Sequence, residues 1–405
     1  MQKLSGYMKV IALPIFAVLV FFLSNSIHDA QAATFTATQN GNWTDSATWG
    51  GTAPPTTIYR DDVVTIPAGI SVTIQNGDEI ENYFGHINNA GALNINAGGT
   101  ITNFVGIIIN NSGGTITNNG DIGTKGAILN NGTIINNATI GNFLDGQVNN
   151  RGIIINTKNA SWENKYGGSL DNIGIVKNDG SIVQEDGIIT NDGTINNKGG
   201  IQETKSSFIT NNFGGRINNE GGIDLKDTMI NNGTLNNSGG NIANRETITN
   251  NGNITNNSGT IANYRDIINN FGGTIYNNKQ GNLINAGSLS NKGDMENNGN
   301  STITNNSGGT ITNFHTINNN HGIITNNSGG SITNNPGGII TNRDTLNNNY
   351  IINNNGIIFN THTGNINNNS GGTITNNNKI INRCDGIINN LGTITGNQIT
   401  YNACP

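Results

Sequence analysis

One short phrase recurs through most of this chain: a branched aliphatic residue, any residue and an asparagine, followed by a Gly/Asn/Ser turn. The segment ITNN is a clean copy of it at residues 116–119, 254–257, 303–306 and 374–377. Self-similarity at a short period is the sequence signature of a solenoid. The chain is therefore predicted to form a long, repetitive rod rather than a set of globular domains.

The spacing of the repeated asparagines predicts the shape of one coil. Between Asn231 and Asn269 the steps are six or seven residues, and between Asn297 and Asn342 they are six to eight. Each step fits one strand of about four residues, at roughly 3.3 Å per residue, and a tight corner. Three steps make one coil. We therefore predict an all-β fold, a three-sided parallel β-helix solenoid of about 20 residues per coil and about fifteen coils, with an N-terminal β cap.

Side-chain direction in such a coil follows from the period-two alternation of a strand. The aliphatic residue points inward and its two neighbours point outward. The repeated asparagines of successive coils are expected to stack and to hydrogen-bond along the rod axis as an Asn ladder. Between Pro67 and Pro405 the sequence contains one proline, Pro336, which fits continuous backbone pairing along the rod.

The start of the chain indicates export. A basic head precedes fourteen apolar residues, Val10–Leu23, and a small-x-small cleavage site, AQA, ends at Ala32. This run suits a signal peptide and is shorter than the roughly 20 residues that span a bilayer as a helix, although an uncleaved anchor is the alternative. The predicted organisation is a signal peptide at 1–32, a cap segment at 33–84 and an Asn/Gly-rich β-solenoid at 85–405, irregular and more charged at 158–227.

Charge and hydrophobicity restrict the partners of the exported chain. The net charge is −6 and charged residues make up 11% of the chain, without the basic patch that nucleic-acid binding requires. After signal cleavage no stretch of membrane length remains, so we predict no membrane span. The predicted location is extracellular or at the cell surface, and the expected partners are cell-surface glycans or other copies of the chain.

The two cysteines, Cys384 and Cys404, lie twenty residues apart, which is about one coil. Residues one coil apart sit on neighbouring strands about 4.8 Å apart, within the roughly 4.4–6.8 Å between Cα atoms that a disulfide accepts. We therefore predict a disulfide between Cys384 and Cys404 that fastens the last coil.

The segment before the repeats is different in kind. Residues 40–51 read NGNWTDSATWGG, and residues 61–69 read DDVVTIPAG. Residues 40–74 resemble the opening of eight-glycine (G-eight) domains, and the chain as a whole resembles Asn/Gly-rich, adhesin-like parallel β-helix surface proteins. The resemblance implies an extracellular β-helix of an adhesin-like or carbohydrate-associated kind. Trp43 and Trp49 are candidate aromatic residues of a cap that covers the first coil, or of a platform on which a sugar stacks.

Residues that carry chemistry are sparse. The histidines are isolated, the acidic residues are scattered, and no metal, cofactor or nucleophile motif appears, so we predict no cofactor, no metal site, no catalytic residue and no enzyme activity. In the charged section, the mixed polar and aromatic residues Trp162, Tyr166, Lys165 and Phe208 form the candidate ligand face, with an ordinary solvated surface as the alternative.

Asn-x-Ser/Thr sequons are frequent, as expected in an Asn-rich chain. Several of them coincide with the turns that would have to hold an Asn ladder. The candidate N-glycosylation sites are Asn42, Asn110, Asn131, Asn232, Asn256, Asn305, Asn326 and Asn368.

Three functions are compatible with these features. The leading hypothesis is a secreted or cell-surface structural or adhesive rod with no chemistry of its own. The first alternative is an extracellular polysaccharide-binding or -degrading β-helix enzyme, in which stacking would bring carboxylates together. The second is an ice-binding solenoid, because Thr-Ile-Thr recurs. Thr302 and Thr310 begin consecutive strands and are therefore predicted on different faces, which argues against one long threonine array.

Overall fold

The computed structural model describes residues 32–59, 61–383 and 385–402. The predicted signal peptide lies outside the described residues except for Ala32. Cys384 and Cys404 also lie outside them, so their disulfide stays a prediction. The described neighbours Arg383 and Asn402 pair across adjacent coils at an offset of nineteen residues.

The described residues form one three-sided parallel β-solenoid, which confirms the predicted fold class. Strands follow one another around the three faces, here named A, B and C, and each strand pairs in parallel with the strand three further along the chain. Face A contains 18 described strands, face B 18 and face C 17. The one described helix is a single 3₁₀ turn, Ser46–Trp49.

The strands of face A begin near the N-terminus and continue to the last described coil. They are Thr34–Thr36, Val63–Ile66, His86–Asn89, Ile107–Asn110, Ala127–Asn130, Gln147–Asn150, Ser169–Asn172, Ile188–Asn191, Phe208–Asn211, Thr228–Asn231, Thr247–Asn250, Asp266–Asn269, Ser288–Asn291, Thr310–Asn313, Ser331–Asn334, Ile351–Asn354, Thr373–Asn376 and Thr393–Gly396.

Face B follows face A in every coil. Its strands are Gly41–Asn42, Ser71–Ile74, Ala92–Ile95, Thr115–Asn118, Thr133–Asn136, Ile153–Asn156, Ile175–Asn178, Thr194–Asn197, Arg216–Asn219, Thr234–Ser238, Asn253–Asn257, Thr274–Asn278, Asp294–Asn297, Thr316–Asn319, Ile339–Asn342, Ile357–Asn360, Lys379–Arg383 and Thr400–Asn402.

Face C completes each coil. Its strands are Thr57–Ile58, Glu79–Asn82, Thr100–Asn103, Asp121–Thr124, Thr139–Phe143, Ser161–Lys165, Ser181–Glu185, Gly200–Lys205, Gly222–Leu225, Asn241–Asn244, Thr260–Asn263, Asn282–Asn285, Ser301–Asn305, Gly322–Asn326, Thr345–Asn348, Asn365–Asn368 and Ile387–Asn390.

The cap segment 33–84 consists of β-strands that stack on the coils that follow it. It supplies the first two strands of every face, and Thr34–Thr36 pairs in parallel with Val63–Ile66. The segment is therefore continuous with the rod, and the three faces contain 16, 16 and 15 described strands after it, in agreement with the fifteen or so coils predicted. Among the described residues, none forms a helix long and apolar enough to cross a membrane.

The repeated phrase places two side chains of each strand inside the rod. In Thr115–Asn118 the second residue, Ile116, and the fourth, Asn118, are buried, while Thr115 and Thr117 face outward. Stacked isoleucines form an apolar core along the axis. Pro336 lies in an exposed turn, where its missing N–H group removes no hydrogen bond from the sheet.

Buried asparagines form hydrogen-bonded ladders parallel to the axis, as predicted. On face A the ladder runs from Asn89 to Asn376, and on face B from Asn118 to Asn382; each Nδ2 donates to Oδ1 of the next asparagine at 2.7–2.9 Å. In the part of the chain that the structure describes, the Oδ1 atoms of the first residues, Asn89 and Asn118, have no donor, because isoleucine occupies the same position one coil earlier.

The Asn-Asn doublets have two separate roles. In the doublet Asn250-Asn251, Asn250 belongs to the buried ladder, whereas Asn251 lies at the exposed corner. Asn251 Nδ2 donates to Asn232 Oδ1 at 2.7 Å, and Asn270 Nδ2 donates to Asn251 Oδ1 at 2.8 Å. A second, solvent-exposed ladder thus follows the buried one along this corner.

Candidate functional site

The regular interior is interrupted on face C, inside the charged section. Between the ladder residues Asn164 and Asn244 the inward positions are occupied by Gln184, Glu203 and Leu225. All three side chains are fully buried. Gln184 Oε1 still accepts from Asn164 Nδ2 at 3.4 Å, and Glu203 and Leu225 then replace the amides that would continue the ladder.

Glu203 is a carboxyl group enclosed in the rod. The backbone N–H of Asp227 donates to its Oε2 at 3.0 Å, but among the described residues Oε1 has no partner, and neither does Nε2 of Gln184. Burial raises the pKa of Glu203 to about 8; the Asp227 hydrogen bond opposes this shift and the negative charge of the Asp227 carboxylate adds to it. Because its carboxylate oxygens are buried, this group is not accessible to a substrate.

The buried carboxyl group makes the stability of these coils depend on pH. The pKa in the folded rod, about 8, is above the ordinary value of 4.5, so the folded state binds more protons between these values. The contribution of Glu203 to stability is therefore greatest below about pH 4.5 and decreases as the pH rises to about 8. We expect Glu203→Gln to remove this decrease, so that the variant is more stable than the wild type by a few kcal/mol at high pH.

The measurement is hydrogen exchange in the strands Gly200–Lys205 and Gly222–Leu225 at several pH values, corrected for the intrinsic exchange rate. The matched control is Gln202→Asn, which changes the exposed neighbouring side chain and keeps the buried carboxyl group. The same pH dependence in Glu203→Gln and in the wild type would contradict this account.

The predicted ligand face is not a single surface. Trp162 is buried in the core, where it pairs in register with Ile140 and Ile182, and its Nε1 donates to Asn164 Oδ1 at 3.0 Å. Its prediction as a ligand-binding residue is therefore wrong, because a β-strand of this register points its side chain inward.

The other three members of that predicted face lie on the surface, at or beside the corner between faces C and A. Lys165, at the end of a face C strand, forms an ion pair with Glu163, in which Nζ donates a hydrogen bond to Oε2 at 2.7 Å. This hydrogen bond raises the pKa of Lys165. Tyr166 is exposed at the following corner, with a positive φ of 53°, and Phe208 is exposed on face A. The structure does not bring them together with Trp162.

The two tryptophans of the cap segment are both buried. Their rings meet edge to face, with centroids 5.5 Å apart, and Trp49 Nε1 donates to the backbone oxygen of Trp43 at 2.8 Å. They contribute to the core of the first coils. Because the ring faces are covered, they do not offer the sugar-stacking platform that was considered from sequence.

A shallow depression on face C was not predicted. Gly200 and Gly222 occupy outward positions, and a Cβ atom at either of them would meet nothing within 4 Å. Gln202, Asp224 and Arg245 border this depression, and the Arg245 Nε atom lies 2.8 Å from Asp224 Oδ1. The sequence signal for it was glycine at the first position of two successive face C strands. Exposed ion pairs of this kind contribute little stability.

Most of the predicted N-glycosylation sites are inaccessible in the folded rod. The five asparagines that belong to buried ladders are at most 1% exposed, and their amide nitrogens are donors in the ladder. These are Asn110, Asn256, Asn305, Asn326 and Asn368. Their prediction as glycosylation sites is wrong for the folded chain. Asn131 is exposed, Asn42 and Asn232 are half-buried, and these three remain predicted sites.

Hydroxyl groups line the outer side of the last six described strands of face A, which we call the hydroxyl face. In these strands, from Ser288–Asn291 to Thr393–Gly396, ten of the twelve outward residues are serine or threonine. The exceptions are Ile351 and Asn353, in one strand. Thr302 and Thr310 do lie on different faces, but Thr310, Thr373 and Thr393 share face A, so a threonine array exists.

Within the described parts of the chain, no three His, Cys, Asp or Glu side chains are grouped so as to hold a metal ion. His315 lies near Asp294, with Nδ1 3.2 Å from Oδ1, and its ring contacts Phe271 at the surface.

Comparisons with known proteins give little further information. No protein family matches the chain, and no curated protein matches it. The resemblance to eight-glycine domains therefore stays a likeness of residues 40–74 alone. Among solved structures, the chain is similar to the crystal structure of a TibC-catalyzed hyper-glycosylated TibA55-350 fragment, with 17% identity over 92% of this chain and 94% of that chain and a TM-score of 0.16. With that TM-score the likeness carries no argument about function.

Proposed function

We propose that this protein is a secreted or cell-surface rod with a structural or adhesive role and no chemistry of its own. The observation that carries the proposal is the continuity of the stack: each face pairs coil after coil through the described residues. At about 4.8 Å per coil, its 18 strands on face A correspond to a rod of roughly 85 Å. The signal-peptide-like start of the sequence supports export.

Continuous stacking suits a mechanical role, because each coil is held by its two neighbours over all three faces. Two buried asparagine ladders extend nearly the whole length and fix the register of the strands, since a slip of one residue would bring isoleucine and asparagine to the outside. A rod of this construction projects or spaces whatever it carries. Cell-surface glycans or further copies of the chain are the partners that we propose for it.

The alternative of a polysaccharide-degrading enzyme is less well supported. A glycosidase needs two accessible carboxyl groups that flank the scissile bond. Around the interruption of face C, Glu203 is buried and Asp224 is paired with Arg245. This cluster therefore does not offer such a pair.

The rod is tested by deletions of whole coils. Removing residues 231–312 joins Ile230 to Asn313. Asn313 occupies the position of Asn231, four strands later on face A. We expect a folded particle shorter by about 19 Å in electron microscopy. The matched control, deletion of residues 231–318, ends in a face B position and leaves an incomplete coil, so we expect it to lose ordered coils at the junction.

Adhesion is tested with the full chain. We expect it to bind either glycans on an array or immobilised copies of itself. An absence of both kinds of binding would reject the adhesive role, and depolymerisation of a polysaccharide would reject the absence of chemistry. Equal lengths for the two deletion variants would reject the rod.

A further inference from the structure

The strands of the hydroxyl face are in register along the axis. Ser288, Thr310 and Ser331 pair in register in successive coils, and so do Thr373 and Thr393. No register shift occurs from Ser288–Asn291 to Thr393–Gly396. The outward side chains thus form two straight files parallel to the axis.

The dimensions of this surface follow from strand geometry. Along a file the spacing is about 4.8 Å, and between the two files, two residues apart in each strand, it is about 6.6 Å. Asparagine ladders directly beneath, from Asn291 through Asn313 and Asn334, hold successive strands in the same register. Side-chain ladders of this kind are what keeps a many-stranded sheet flat.

The hydroxyl groups of this face are not used by the protein itself. In the described chain, none of its serine or threonine hydroxyls forms a hydrogen bond with another side chain. Elsewhere on the surface, the hydroxyl of Thr302 on face C donates to Asn282 Oδ1 at 2.6 Å, and that of Thr157 at a corner donates to Asn137 Oδ1 at 3.2 Å. The hydroxyl groups of Thr312, Thr333 and Thr375 are therefore available to water.

The composition of the face distinguishes between possible occupants. Its twelve outward residues include no charged and no aromatic side chain. A sugar-binding surface uses aromatic rings, and a protein interface has buried aromatic or arginine anchors. What remains is a neutral grid of hydroxyl and methyl groups at a constant interval, which is suited to hold water molecules in fixed positions.

We infer that the hydroxyl face binds ice. Water molecules held by the threonine hydroxyls, and ordered around the γ-methyl groups between them, form a layer whose repeat is set by the strands. Such a layer joins the surface of a growing ice crystal, whose oxygen atoms recur at intervals of a similar size. The partner is crystalline water itself, so this activity is additional to the proposed role of the rod and does not depend on adhesion.

The test uses the full chain and measures thermal hysteresis and uptake into a slowly growing ice hemisphere. Thr375→Lys introduces a charge and a longer side chain between Asn353 and Thr395 on the hydroxyl face. The matched control is Thr341→Lys on face B, where Thr341 is also half-buried and outward. We expect Thr375→Lys to lose most of the hysteresis and ice uptake, and Thr341→Lys to retain them.

A gain of activity provides a second measurement. Ile351 is the one gap in the first file, between Ser331 and Thr373. We expect Ile351→Thr to increase the hysteresis, because it completes the file. Thermal melts of all variants check that they are folded.

Several results would overturn the inference. These are an absence of hysteresis and ice uptake in the wild type, an equal loss in Thr375→Lys and Thr341→Lys, or binding to crystalline cellulose that Thr375→Lys abolishes while no ice is taken up. The last result would assign the face to a crystalline polysaccharide instead.

Discussion

Replacing Asn250 with alanine is expected to destabilise the central coils by about 3–5 kcal/mol. Asn250 Oδ1 accepts from Asn231 at 2.8 Å, and its Nδ2 donates to Asn269 Oδ1 at 2.8 Å and to the backbone oxygens of Gly252 and Thr274 at 3.0 Å. Alanine leaves Asn269 Oδ1 buried without its donor and creates a small cavity. Each buried polar atom without a partner costs about 1–3 kcal/mol.

The neighbouring residue provides a control with the same chemistry. Asn251 also takes part in two ladder hydrogen bonds, to Asn232 and from Asn270, but both are exposed to solvent. In Asn251→Ala, water replaces the lost partners, so the expected cost is about 0.5 kcal/mol or less. Native-state hydrogen exchange in Thr247–Asn250 and Asp266–Asn269 measures both variants. Similar losses of protection in the two would show that burial of the ladder is not what stabilises the rod.

The effect of Asn250→Ala should also be local. A solenoid is stabilised by interactions between neighbouring coils, so a damaged coil opens without unfolding the distant ones. Protection of Thr373–Asn376 is expected to stay unchanged. A single global melting temperature is therefore a poor readout for these variants, since a long repeat array is not a two-state system.

Much of the fold could be predicted from the sequence, because a single local rule repeats. In Ile116-Thr117-Asn118 the alternation of a strand places isoleucine and asparagine inside together, and the step between asparagines gives the number of sides. The same rule, applied more strictly, would have placed Trp162 correctly. Residues 161–164 read SWEN, with tryptophan where isoleucine normally stands and Asn164 in the ladder position. The charged residues around Trp162 favour a surface position, but the strand alternation outweighs them.

Properties that depend on the exact number of strands could not be predicted. Residues on one face recur every third strand, so the array of Thr310, Thr373 and Thr393 becomes visible only when every corner between them is assigned. Comparing Thr302 with Thr310, which are in consecutive strands, could not reveal it. The lengthened strand Gly200–Lys205 and the register shift that follows the pair Gln184–Glu203 likewise do not follow from the repeat.

Replacing Gly152 with alanine is the second substitution with a large expected effect. Gly152 belongs to a column of glycines at the corner between faces A and B, in which each residue lies against the carbonyl group of the one before it. A Cβ atom on Gly152 would overlap the carbonyl oxygen of Gly132 and would lie 2.8 Å from the carbonyl carbon of Asn131. Both neighbours are backbone, so they cannot give way by a change of rotamer.

The alanine must therefore separate two coils at this corner. That movement lengthens the hydrogen bond from the Ile153 N–H to the Gly132 oxygen, now 2.8 Å. We expect a loss of about 3 kcal/mol, at the upper end of overpacking effects. Gly123→Ala is the matched control: Gly123 has an outward position in a strand of face C, and its Cβ would meet nothing within 4 Å. There alanine is expected to stabilise by about 0.5–1 kcal/mol, because glycine in a strand costs more conformational entropy.

Opposite signs for these two glycine substitutions are the discriminating result, measured by hydrogen exchange in Ile153–Asn156 for one and in Asp121–Thr124 for the other. If both substitutions destabilised equally, the loss would reflect a general need for glycine flexibility. If Gly152→Ala were neutral, the coils would not be in contact at this corner. The expected difference in sign would show that the glycine column is required for close packing of the backbone. At this corner neighbouring coils are too close together to accommodate a side chain.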